Sequence, residues 1–155
     1  MLISALLKGM AAGAAGTTAL NAATYADIAT RARPSSDMPQ QTVETIAART
    51  GHAVPREGEQ RDNRLSGLGA LSGIVTGVTI GAAAGLFGPL LTRLPVVISG
   101  PLLGGAAMAG SDVPMAKLGL TDPGSWSAQA WVSDAGPHLA YGLTTVLTLR
   151  ALRRS

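Results

Sequence analysis

The 155-residue sequence contains no cysteine, which excludes disulfides, thiolate metal sites and cysteine nucleophiles and leaves the redox compartment unreadable. Charge is also scarce. Asp, Glu, Lys and Arg make up 14% of the chain against 46% hydrophobic residues, and the mean hydropathy is +0.29, a balance poor in charge for a soluble fold. The net charge is only +3, with the arginines scattered among acids or gathered at the C-terminal end, so the chain lacks the footprint of a nucleic-acid binder. Enzyme signatures are missing too. GSWSAQ lacks the glycine spacing of a nucleophile elbow, no glycine loop runs into Lys followed by Ser or Thr, and no paired-histidine motif exists. No catalytic residue, cofactor or metal site is expected.

Glycine, by contrast, is abundant and ordered. GLGALSGIVTGVTIGAAAGLFG, residues 67–88, places Gly69, Gly73, Gly77, Gly81 and Gly85 at a constant spacing of four. In water each glycine inside a helix costs roughly 1 kcal/mol relative to alanine. In a bilayer the helix is enforced because the backbone has no water to bond, and small residues four apart let two helices approach closely. Each step of four turns the helix by about 400°, so the line drifts by about 40° per glycine and traces a slanted groove. These five glycines are the expected helix-packing face.

The apolar residues fall into four blocks, which predict spans at about 3–29, 65–91, 95–113 and 135–152. The block from 65 carries no charge until Arg93. Lys8 follows the opening MLISALL instead of preceding it, the reverse of a signal peptide, so the first segment is expected to be retained. Between the first two blocks lies a polar stretch, residues 30–64. Asp37, Pro39, the spacing of Val43, Ile46, Ala47 and Thr50, and the following Gly51 predict a short amphipathic helix over 39–50. Asp122 and Pro123 start a second, interfacial helix at 123–133, with Trp126 and Trp131 either at headgroup level or packed against the bundle. The expectation is an all-α integral membrane bundle in one domain, 1–155, with four transmembrane helices and two short interfacial ones.

With four spans both termini share a face, together with Lys8, Arg93, Arg150, Arg153 and Arg154. The other face has Arg31, Arg33, Arg49, Arg56, Arg61, Arg64 and Lys117. The basic count alone does not orient the chain; the C-terminal RALRRS, abutting its span, leans towards cytoplasmic termini. The same topology gathers Asn21, Tyr25, Asp27, Asp112, Asp134, His138 and Tyr141 near one interface. Ionisable groups at a span edge are costly and mark a functional site or a paired structural set. A pocket of Asp27, Asp112 and His138 could share a proton, with the imidazole titrating near neutrality. The alternative has the aspartates capping helices or pairing with Arg31. A kink is expected at Pro114.

The run from about Ser99 to Arg154, with DVPMAKLGLTDP, a tryptophan, SDAGPHLAYG and a closing RALRR, resembles the YagU-like family of bacterial inner-membrane proteins. The matching features are Pro114 with Met115, Gly119 to Pro123, and Gly136 to Leu139; an additional residue before Gly119 departs from the pattern. The first half is similar to small actinobacterial membrane proteins of unassigned activity. The resemblance implies a multi-pass inner-membrane location and a loose connection with acid tolerance, without catalytic residues. The expected function is therefore a non-enzymatic, acid-stress-related or accessory membrane protein with a proton-responsive pocket. Its partners would be the lipid bilayer and a second copy or another membrane protein. The alternative is a small self-associating channel packed through the glycine face; an enzyme using Asp112 and His138 has the least support.

Overall fold

A computed structural model describes residues 2–55 and 57–154; Met1, Ser155 and Arg56, the last assigned above to the far face, lie outside it. Among the described residues the chain is helical with short connections and no strand. The helices are α1 (Leu2–Arg31), α2 (Met38–Arg49), α3 (Gly58–Leu86), α4 (Gly88–Arg93), α5 (Val96–Lys117) and α6 (Ala128–Arg154).

Local chemistry explains most of the boundaries. No proline interrupts the sequence before Pro34, and α1 runs unbroken to Arg31 before Ala32 turns away with a positive φ of 49°. Pro39 sits in the first turn of α2, and Gly51 adopts a φ of +75° just beyond its end, close to the helix expected at 39–50. The span expected at 65–91 is divided. Pro89 has no N–H to give the Gly85 carbonyl, so α3 stops at Leu86 and the chain restarts in α4 with Pro89 in its first turn. At the other end α3 begins earlier than expected, at Gly58.

The third block extends past its expected end at 113. Pro114, where a kink is expected, falls in the last turn of α5, and the helix continues past it to Lys117. The interfacial helix expected at 123–133 does not form as such. Asp122 Oδ1 accepts the Gly124 N–H at 3.0 Å and closes a single 3-10 turn, Pro123–Ser125; α6 then runs from Ala128 to Arg154 with Pro137 inside it. Its first two turns are the segment assigned to a separate helix. Trp126 and Trp131 pack edge to face at 5.1 Å, and Trp126 Nε1 donates to Thr121 Oγ1 at 2.9 Å. The pair thus folds the α5–α6 connection back on itself, while Trp131 keeps 44% of its surface exposed.

The four long helices alternate in direction. Gly9 meets Gly85 and Gly13 meets Gly81, so α1 and α3 are antiparallel. Gly16 lies against Tyr141 and Thr145, and Arg31 reaches Ser133, so α6 is antiparallel to α1. Gly100 and Gly104 face Leu143, Gly142 and His138, so α5 is antiparallel to α6. Laterally the order is α3, α1, α6, α5, and α2 covers the first half of α3 near Gly69. The near end holds the starts of α1 and α5, the ends of α3 and α6, and α4. The far end holds the rest.

The distribution of side-chain sizes is inverted relative to a protein dissolved in water. The buried core is small: Ala12, Ala84, Leu103, Ala107, Tyr141, Val146 and Leu149. Large apolar side chains face outward, among them Leu71, Val75, Phe87, Val97, Leu102 and Val132. The accessible surface is 9075 Å², whereas a globular monomer of this mass exposes roughly 7,300 Å². Among the described residues two helices, α3 and α5, are long and apolar enough to cross a membrane, and only 17% and 33% of their most apolar stretches are buried within the molecule. At about 1.5 Å per residue α1 and α6 also exceed the roughly 30 Å of a hydrocarbon core, but Lys8, Asn21 and Asp27 in one and Asp134 and His138 in the other make them more polar.

Candidate functional site

At the far end, α5 and α6 bring two carboxyls and an imidazole together. Asp112, 6% exposed, projects from α5, and its neighbour Ser111 donates to the Met108 carbonyl at 2.9 Å. Across from it, Asp134 and His138 stand one turn apart on α6, a spacing that puts them on one helix face. His138 Nδ1 lies 2.9 Å from the Asp134 backbone oxygen and 3.4 Å from its Oδ1. A ring nitrogen facing a carbonyl oxygen carries the hydrogen, so Nδ1–H donates and Nε2 is left to take or release a proton. The Asp112 carboxyl lies near the Asp134 carboxyl and the His138 ring, and Asp134 Oδ2 is buried with no hydrogen-bond partner. The cluster therefore gathers three groups able to take or release a proton.

Of the expected trio, Asp112 and His138 come together and Asp27 belongs elsewhere. Arg31 Nε lies 2.7 Å from Asp27 Oδ1 and Arg33 Nε 2.6 Å from Oδ2, so two guanidiniums take up both oxygens. Arg31 also donates to Ser133 Oγ, which ties this ion-pair set to α6 one residue before Asp134. The place expected for Asp27 is taken by Asp134. Asn21 is half-buried on α1, and Tyr25 is 66% exposed.

Tyr141 lies three residues beyond His138 on α6, deeper in the bundle. It is 1% exposed, and its hydroxyl donates to the Gly77 carbonyl at 2.7 Å. Its ring fits because Gly16 has no side chain: a methyl there would stand 2.9 Å from Tyr141 Cδ2. Tyr141 thus bolts α6 to α3 across α1. Thr17, Ser99 and Thr145, also buried at mid-bundle, were not singled out in the sequence. Thr17 Oγ1 bonds the Gly13 carbonyl at 2.9 Å, the usual way such a hydroxyl is satisfied inside a helix.

The five glycines have three different fates. Gly77, Gly81 and Gly85 contact α1; a methyl on Gly13 would sit 2.8 Å from the Gly81 Cα and 2.7 Å from the Gly77 carbonyl oxygen, too close for any side chain. Gly69 meets α2, where a methyl would stand 3.1 Å from the Gln40 amide, and Gly73 faces open space. The partner glycines, Gly9 and Gly13 in KGMAAGAAG, carry the same spacing of four and could have been read from it.

Beside His138, a cavity of about 250 Å³ opens between α5 and α6, lined by Pro101, Gly104, Met108, Ala135 and Leu139. The imidazole is its one titratable wall. Among the described residues no group of three or more His, Cys, Asp or Glu side chains is placed to hold a metal ion.

These features define a class: an all-helical bundle with outward-facing apolar surface and two helices able to cross a membrane. Comparison with protein-family models, curated proteins and solved structures finds no match to this chain.

Proposed function

We propose that the chain is a non-enzymatic, multi-pass protein of the bacterial inner membrane, and that Asp112, Asp134 and His138 form a proton-responsive pocket at one face of it. Four spans formed by α1, α3, α5 and α6 account for the small core and the large apolar exterior, because lipid removes the penalty for exposing Leu, Val and Phe while rewarding close backbone contact. The observation that carries the functional part is the gathering of two neighbouring carboxyls beside an imidazole. Two acids next to a basic nitrogen form a set whose charge changes with proton supply. The likeness of the C-terminal third to the YagU-like family adds acid tolerance as the physiological setting.

Both parts have direct tests. Because the native chain has no cysteine, single labels at Ser36→Cys and Ser155→Cys report sidedness without background. An odd number of crossings separates them, so labels should appear on opposite faces, and labels on the same face would overturn the four-span topology. We place the termini in the cytoplasm, because the C-terminal RALRRS sets three arginines directly against the end of its span. For the pocket, Asp112→Asn and His138→Ala should alter the pH dependence of proton leak in reconstituted vesicles and of growth in acid. Unchanged profiles in both variants would remove the proton role.

The channel reading is favoured by one observation, the open face of Gly73 with exposed Leu71, Ile74 and Val75 around it. Against it, the remaining glycines of the series are engaged within the chain. Self-association through them would have to displace α1 or α2.

A further inference from the structure

The near end of the bundle contains a cationic cavity. All nine acidic residues of the sequence (Asp27, Asp37, Glu44, Glu57, Glu59, Asp62, Asp112, Asp122 and Asp134) belong to the far end or to the segments joining helices there. Lys8, Arg93, Arg150, Arg153 and Arg154 occupy the near end. At the far end arginines are neutralised by neighbours: Asp27 pairs with Arg31 and Arg33, and Glu44 with Arg61. Among the described residues no side-chain carboxylate lies at the near end to do this.

Three of these cations converge. Arg150, Arg153 and Arg154 from the end of α6, with Thr92 of α4, line a cavity of about 300 Å³. Arg150 Nη2 donates to the Leu94 carbonyl, which holds its guanidinium at the wall, while its Nε is buried with no acceptor. Arg153 lies over Gly88, where a methyl would stand 2.9 Å from its Nη1, so the glycine makes room for the guanidinium. Thr92 Oγ1 gives its hydrogen to the Gly88 carbonyl at 2.7 Å. The donors facing the cavity are therefore guanidinium N–H groups. Cations in the last turn of a helix are favoured by its dipole, but that effect does not draw three of them around one cavity against a second helix. Planar guanidiniums with free N–H groups match the oxygens of a phosphate. Leu147 is 54% exposed on the same α6 face as Arg150 and Arg154, and Leu90 on α4 is 60% exposed. An anionic head with an apolar tail fits both surfaces at once.

We propose that Arg150, Arg153 and Arg154, closed on one side by Thr92, bind a phosphate-bearing anion, supplied in the cell by the headgroup of an acidic phospholipid. The site is separate from the proton pocket and does not depend on it. The test uses the full chain in a non-ionic detergent, with bound lipid counted by native mass spectrometry. The probes are phosphatidylglycerol, phosphatidylcholine of the same acyl chains, and inorganic phosphate. Near a membrane surface each basic residue contributes about a kcal/mol, so Arg153→Gln/Arg154→Gln should weaken phosphatidylglycerol binding roughly thirtyfold. That variant keeps Arg150 and its bond to Leu94, and helical content by circular dichroism checks its fold. Should it not fold, Arg154→Gln alone should show about a fivefold loss. Lys8→Gln/Arg93→Gln removes equal charge from the same end outside the cavity and should retain most of the binding.

Displacement of phosphatidylglycerol by inorganic phosphate, with the same dependence on Arg153 and Arg154, would support the anion site and identify its source as soluble phosphate. Equal losses in the two double variants, or equal binding of the two lipids to the native chain, would overturn the proposal. Recovery of the chain outside the membrane fraction would remove the lipid source. The inorganic phosphate arm would then decide the site by itself.

Discussion

The two ends of this bundle are closed by different physics. From the near end to mid-bundle, helices meet backbone to backbone: Gly9 on Gly85, Gly13 on Gly81, and Gly142 on Gly104, where a methyl would come within 2.9 Å of the opposing Cα. At the far end, longer polar side chains come together, with Arg31 joining Asp27 to Ser133 and Asp112 lying near Asp134. A backbone seam has no give, because the atoms in contact cannot rotate away. A side-chain bridge can rearrange, take up a proton or be screened by salt. The near side should therefore be sensitive to volume and the far end to solution conditions.

The sharpest way to break this contrast is to add volume at the seam. Gly81→Leu would drive a side chain into the α1 backbone and should destabilise the bundle by more than about 3 kcal/mol, read as loss of the thermal transition in detergent. Gly73→Leu, in the same series but facing open space, should stay within about 0.5 kcal/mol. Equal effects at both positions would mean that the seam is not where the structure puts it. A smaller loss is expected at the bolt between the two seams. Tyr141→Phe keeps the ring and removes only the bond to the Gly77 carbonyl, for about 1 kcal/mol, and the melting temperature should fall without change in helical content. Smallest is Arg33→Gln at the far end, which leaves Asp27 with Arg31 alone. A slight decrease in stability at low salt should vanish as salt rises, whereas a salt-independent loss would show that Arg33 acts by packing.

Much of the architecture was legible in advance because bilayer-like chemistry writes strong local signals. Apolar blocks, the glycine period and the Pro39 and Gly51 punctuation marked four long helices and one short one. The boundaries misread were those where a single residue decides. Pro89 ends α3 despite an unbroken apolar run, and the stretch from Ala128 to Asp134 joins α6 because nothing in it stops a helix before Pro137. The site was legible by topology and not by pairing. Alternating helix direction was enough to bring Asp112, Asp134 and His138 to one end. It could not rank Asp134 above Asp27, although Asp27 and Arg31, four apart on one helix, were a visible pair.

The sequence by itself determined that this chain forms helices, where its apolar and polar segments fall, and that its acids and its C-terminal arginines lie at opposite ends once helices alternate. Those properties follow from local composition and from parity along the chain. Only the tertiary structure decided which surface the glycines serve, that Gly9 and Gly13 are their partners while Gly73 has none, and which carboxyl faces Asp112. Each of these depends on the rotation and offset of one helix against another, set by contacts of a few ångströms between residues as far apart in sequence as Gly13 and Gly81.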